Sequence, residues 1–153
     1  METEKIIIGI THGDINGVGY EVILKTLADS RMLETFIPVI YGSHKVAAYH
    51  RKNLDLQGFN LNVINSLEEV NPKRVNIINC VDDDIKVDLG VSTTDAGKAA
   101  LAALERATED LRSGGLQALV TAPINKRIFS RLTLNFPDIQ SIWKKSSEPE
   151  HLH

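Results

Sequence analysis

Ile6-Ile7-Ile8-Gly9-Ile10 runs directly into Thr11-His12-Gly13-Asp14-Ile15-Asn16-Gly17-Val18-Gly19, and no other stretch constrains the fold as tightly. A short β-branched run bounded by glycine reads as a strand covered on both faces, the kind found in parallel sheets under helices. The glycine-bearing corner then stands at the strand's carboxyl end. Open α/β sheets bind ligands at that end, where a helix N-terminus favours an anion. A small phosphorylated or carboxylated ligand is therefore the first expectation. The spacing G-x-x-x-G-x-G matches neither the dinucleotide fingerprint nor the P-loop. An alternative stands beside it: the glycines only close a tight turn, with Asp14 or Asn16 capping the helix that follows.

With 153 residues, 42% of them hydrophobic, the chain is long enough for one ordinary domain and its core. A net charge of -3 carries no polybasic footprint, so nucleic acid is not an expected partner. The single cysteine, Cys80, excludes an intramolecular disulfide and fits a reducing compartment. Residues 1–5 are acidic where a signal peptide is basic, and no apolar run approaches the roughly 18 residues of a membrane span. A cytoplasmic protein with no membrane partner is expected.

Residues 18–30 read as a helix with Val18, Val22, Ile23 and Leu27 on its buried face. Residues 36–41 form a second strand, in which Pro38 marks a strand start or a sheet edge. Ser43 caps a helix running to about residue 52. Two β-like runs, 61–64 and 75–78, flank a helix or turn at 66–72. Asp82-Asp83-Asp84 is a solvated turn rather than a metal site, because neighbouring carboxylates point in different directions. Ser92 to Gly97 supply cap residues and a small-residue turn in which Asp95 is structural, and residues 98–112 are the clearest helix. Ser113-Gly114-Gly115 stops it, residues 116–122 form a buried strand, and Pro123-Ile124-Asn125-Lys126 follows at that strand's carboxyl end. The fold class is α/β, a mostly parallel sheet with flanking helices. If the first and last strands run parallel, their polar corners meet on one rim. Asp14, Asn125 and Lys126 are then the candidate substrate-binding residues. Lys126 would be a point charge for phosphate or carboxylate and Asn125 a neutral donor, while a solvated loop lysine is the alternative for Lys126.

Ile10-Thr11-His12-Gly13-Asp14-Ile15-Asn16-Gly17-Val18-Gly19-Tyr20-Glu21 resembles the N-terminal signature T-x-G-[DE]-P-A-G-I-G-P-[DE] of the 4-hydroxythreonine-4-phosphate dehydrogenases of pyridoxal phosphate biosynthesis. Ala118-Leu119-Val120-Thr121-Ala122-Pro123-Ile124-Asn125-Lys126 is similar to that family's A-L-V-T-[AG]-P-[IV]-[NH]-K. The resemblance covers residues 5–126. It implies a fold like that of isocitrate and isopropylmalate dehydrogenases, two α/β domains with the active site in a cleft at a homodimer interface. It also implies NAD-dependent oxidation of a phosphorylated substrate's secondary alcohol, followed by decarboxylation. In that chemistry a divalent metal polarises the alkoxide and then stabilises the enolate, and the nicotinamide carries the hydride.

Beyond Lys126 the chain departs from the pattern. The family continues F-x-G-H-T-E, whereas this chain has Phe136-Pro137-Asp138-Ile139-Gln140-Ser141-Ile142-Trp143. The family's metal-binding histidines lie further downstream, and none of His12, His44, His50, His151 or His153 matches one. Residues 1–126 are thus expected to be the N-terminal α/β portion of the dehydrogenase, an incomplete fold. Residues 127–153 are expected to be an atypical tail. No catalytic or metal-binding residue is assigned, and this truncated chain is expected to bind neither NAD nor metal and to be inactive. Codons for Asn135 to Trp143 exist whose neighbouring frame reads Phe-Pro-Gly-His-Thr-Glu-Tyr-Met, which points to a one-base frameshift just after Lys126. The tail shows no sustained period and is expected to be loosely held, with a short helix over 139–145 docking Ile142 and Trp143 as the alternative. Two further readings remain: a noncatalytic module that binds an anionic phosphate ester, and a chain that self-associates through an open sheet edge.

Overall fold

A computed structural model describes residues 5–56 and 58–132. The opening β-branched run forms β1 (Ile6–Thr11). It is flanked by β2 (Phe36–Gly42) on one side and by the last strand, β5 (Ala118–Thr121), on the other. With β3 (Asn62–Ile64) and β4 (Asn76–Asn79) these make a five-stranded parallel sheet in the order β3-β4-β2-β1-β5.

Side chains alternate across the strands, so each sheet face receives its own helices. Ile10, Ile40 and Ile77 pack under α1 (Gly19–Leu27) and α3 (His44–Asn53). Short helix α2 (Met32–Thr35) leads from α1 into β2. Val39, Tyr41 and Ile78 pack on the opposite face against Ala103 and Ala107 of α4 (Thr94–Arg112). The alanine-rich side of α4 lets it lie close to the sheet as the chain returns from β4 to β5. α5 (Lys126–Leu132) then packs on α4. The chain therefore leaves β1 toward one face and β5 toward the other, which makes the gap between their carboxyl ends the topological switch point of the sheet.

Three local expectations change. The buried face of α1 is Tyr20, Ile23, Leu24 and Leu27, whereas Val18 and Val22 are about half exposed; the i, i+3, i+4, i+7 set that includes Tyr20 is the one facing the sheet. Pro38 sits in an interior strand, not at an edge. It is tolerated because the β2–β4 ladder begins only at Val39, and the Pro38 carbonyl instead accepts from Asn76 Nδ2 at 3.3 Å. β5 is not fully covered: it is the last strand of the sheet among the described residues, and Val120 is 53% exposed. Of the atypical tail, residues up to 132 belong to α5, whose first turn is capped by Asn125 Oδ1 accepting from Ile128 N at 3.2 Å. The proposed helix at 139–145, with Ile142 and Trp143, lies outside the described residues.

Candidate functional site

The two polar corners pack directly on each other. Asp14 N donates to Pro123 O at 2.9 Å and Ala122 N donates to Thr11 O at 3.1 Å, which extends the β1–β5 pairing into the loops. The glycines make this approach possible. Gly13 has φ +66°, and a Cβ there would strike the backbone carbonyls of Ala122 and Pro123; one on Gly19 would stand 2.6 Å from His12 O. The open face of Gly13 is thus filled by the neighbouring corner and that of Gly19 by His12 O of its own corner, rather than left free for a pyrophosphate. The tight-turn alternative describes the corner, but its capping detail does not. Val18 is the N-cap of α1 without a side-chain bond, and Asp14 Oδ1 instead accepts from Asn16 N at 3.0 Å, closing a turn within the loop.

Asp14 and Asn125 line one crevice, together with Ser92, Thr93 and Gly97 at the start of α4 and Ile128 of α5. Asn125 Nδ2 donates to Ser92 Oγ at 2.7 Å. Lys126 is exposed and does not line the crevice, although Asn125 and Ile128 on either side of it do, and among the described residues it has no hydrogen-bond or ion-pair partner. The structure therefore brings Asp14 and Asn125 together and leaves Lys126 out of the crevice wall.

Beneath the β1 corner lies a buried polar network. His12 is fully enclosed; Nε2 donates to Ala99 O at 2.9 Å, so Nδ1 is the acceptor for the Tyr20 hydroxyl at 2.7 Å. Ser43 N donates to the same hydroxyl at 3.0 Å, and the His50 ring stacks on Tyr20 with centroids 5.2 Å apart. Burial pushes the His12 pKa down to about 4, against a smaller opposing effect of the Ala99 carbonyl, and raises that of Tyr20. Both rings are neutral at physiological pH. They join α1, α3 and α4 behind the corner.

A larger groove, open to solvent, lies on the α4 side beyond the end of β4, with Cys80, Asp82, Asp84, Asp95, Lys98 and Arg106 in its wall. Burial pushes the Cys80 thiol up to about 12, so it is protonated and a poor metal ligand. Asp82, Asp83 and Asp84 are exposed on a turn, as expected, with Asp83 3.6 Å from Lys45 Nζ. Among the described residues no three histidine, cysteine, aspartate or glutamate side chains are placed to hold a metal ion. No helix there is long and apolar enough to cross a membrane.

A model of the family described as pyridoxal phosphate biosynthetic protein PdxA matches residues 34–152. The chain belongs to this family. A 4-hydroxythreonine-4-phosphate dehydrogenase of Bacteroides thetaiotaomicron is 55% identical over 137 residues, covering 90% of this chain and 37% of the relative. The structure superposes on the 4-hydroxythreonine-4-phosphate dehydrogenase of Burkholderia phymatum with a TM-score of 0.79 at 26% identity, over 95% of this chain and 46% of the other. The enzyme of that name from Klebsiella pneumoniae gives 0.71 at 26% identity, over 90% and 42%. This PdxA-family chain thus spans 37–46% of the length of these relatives.

Sequence reasoning missed three residues of this site. Asn16, His12 and Ser92 read as turn or cap residues, yet the first two are buried connectors and the third bonds a candidate ligand group. One signal was available: where the PdxA-family signature has Pro-Ala and a later Pro, this chain has Ile15-Asn16 and Tyr20, and Asn16 and Tyr20 build the hydrogen bonds behind the corner.

Proposed function

We propose that this chain forms the substrate-holding part of a 4-hydroxythreonine-4-phosphate dehydrogenase site. The observation that carries this reading is the convergence of Asp14 and Asn125 at the switch point of the sheet, in a chain of the PdxA family. Lys126 supplies positive charge for the phosphate or carboxylate, and the Asn125 amide donates a hydrogen bond to it. Asp14 does not face the anion; its carboxylate accepts from a substrate hydroxyl or ammonium. Residues 1–126 are the working part and residues 127–153 the atypical tail.

NAD, when bound, accepts the hydride, and a divalent metal supplies Lewis acidity. Among the described residues no three candidate ligand side chains are placed together for a metal, and the packing of Gly13 and Gly19 closes their loop to a pyrophosphate. The work of this chain is binding and orientation. Its setting is the cytoplasm, and its assembly a homodimer.

Isothermal calorimetry with 4-hydroxythreonine 4-phosphate, alongside an absorbance assay for NADH, tests the reading. Binding that is lost in Lys126→Ala and Asn125→Ala, with no NAD reduction, is the expected result. Absence of binding sinks the substrate assignment, and NAD reduction by the purified chain sinks the assignment of inactivity.

A further inference from the structure

Residues 88–93 cross the rim between the two corners, and each corner grips them with one asparagine. From the β1 side, Asn16 is 3% exposed and its side chain is fully engaged. Nδ2 donates to Val91 O at 3.0 Å and to Thr93 Oγ1 at 3.2 Å, while Oδ1 accepts from Asp88 N at 2.7 Å. The Asn16 carbonyl also accepts from Gly90 N at 2.8 Å. From the β5 side the grip is a single bond, Asn125 Nδ2 to Ser92 Oγ, at the exposed surface.

These grips differ in strength for a physical reason. Removing the Asn16 contacts strands a buried amide and its partners, and buried polar groups left without partners carry the full desolvation cost. An exposed amide and hydroxyl exchange their mutual bond for water at little cost. Below the segment, the cavity between Asp14 and Asn125 measures about 10 Å³. On that measure about 10–15 Å³ holds a single water. A phosphate ester does not fit the crevice as it stands, so it meets the Asn125 amide only where Ser92 now occupies it.

We propose that residues 88–93 are a strap fixed by Asn16 on both sides of Ser92, that the Ser92 hydroxyl occupies the Asn125 amide at the candidate site, and that an entering phosphorylated hydroxy acid displaces Ser92 Oγ from that amide. The freed amide then donates to the ligand, while the Asn16 bonds to Asp88, Val91 and Thr93 hold the backbone on both sides of Ser92 in place. This rests on the substrate-holding reading of the two corners.

The full 153-residue chain is compared with Ser92→Ala, Asn16→Ala and Asn16→Asp by calorimetry with 4-hydroxythreonine 4-phosphate and by amide hydrogen exchange. Ser92→Ala removes a competitor for Asn125, so affinity rises about twofold, the equivalent of one weak exposed hydrogen bond. Protection of the Asp88 and Gly90 amides stays unchanged in that variant. Asn16→Ala lowers their protection at least about tenfold. Asn16→Asp keeps the acceptor for Asp88 N but loses both donors, which leaves an informative variant if the alanine change unfolds the chain. Unchanged or weaker affinity in Ser92→Ala overturns the displacement while leaving the substrate reading intact. Equal loss of protection in Ser92→Ala and Asn16→Ala overturns the anchor. No binding by the unmodified chain overturns both the displacement and the reading beneath it.

Discussion

His12 and Tyr20 share a hydrogen bond of 2.7 Å between Nδ1 and the phenol hydroxyl, completely enclosed behind the loop that carries Asp14. With Nε2 donating to the Ala99 carbonyl, the neutral imidazole keeps Nδ1 as the acceptor for the Tyr20 hydroxyl. Burial enforces the same state, holding the His12 pKa near 4. The corner is therefore built on a group whose charged form its burial disfavours.

Stability should fall on acidification for this reason. The folded pKa of His12 is depressed from the ordinary 6.5 to about 4, so between these values the unfolded chain binds a proton that the folded chain does not. The contribution is fully present above pH 6.5 and is lost as pH falls toward 4. It amounts to about 3 kcal/mol. His50, whose pKa burial also lowers, adds in the same direction. Urea unfolding at pH 7 and pH 4.5 measures this, and His12→Gln should flatten the difference relative to the unmodified chain.

Thr11 Oγ1 is a buried side-chain atom with no hydrogen-bond partner, and the residue is 1% exposed. Replacing the hydroxyl by a methyl group of nearly the same shape removes an unsatisfied polar group without opening a cavity. Thr11→Val should raise the unfolding free energy by about 1 kcal/mol. A drop in the denaturation midpoint would show that the hydroxyl has a partner.

Gly13→Ala should be far more damaging than another glycine change at positive φ. At Gly13 the new methyl meets the backbone carbonyls of Ala122 and Pro123, and neither can rotate away. At Gly114, with φ +84°, a Cβ meets nothing within 4 Å. The expected losses are about 2–4 kcal/mol for Gly13→Ala and about 1 kcal/mol for Gly114→Ala. Chemical denaturation of the two variants side by side isolates the cost of forcing the corners apart, and phosphate-ester binding should vanish only in the first.

The encoding nucleotide sequence should regroup, one base out of frame after Lys126, to Phe-Pro-Gly-His-Thr-Glu across the codons of Asn135 to Trp143. The family match runs through residue 152, so the nucleotides decide the matter rather than the protein alignment. Codons that cannot be regrouped to the histidine motif would remove the frameshift.

Much of the architecture was legible because local signals agreed with tertiary demand. Ile6 to Ile10 could only be a doubly covered strand, and Ser43 and Thr93 cap α3 and α4 through side-chain oxygens accepting from Val46 N and Ala96 N. Pro38 and Val18 misled for one shared reason. Proline is excluded from a ladder only where a partner strand needs its missing N–H, and a valine on a helix is buried only if its side faces the sheet. Both depend on neighbours distant in sequence.

By itself, then, the sequence determined the parallel α/β character, the two glycine- and proline-marked corners and the family, since these follow from side-chain period, turn chemistry and ordered motifs. Only the tertiary structure decided that the glycines serve close packing, that Asn16 and Ser92 join the site, and that His12 is buried against Tyr20. Each of those depends on which atoms meet across long separations of chain, 75 residues between Asn16 and Val91 and 33 between Ser92 and Asn125. No local pattern encodes that distance.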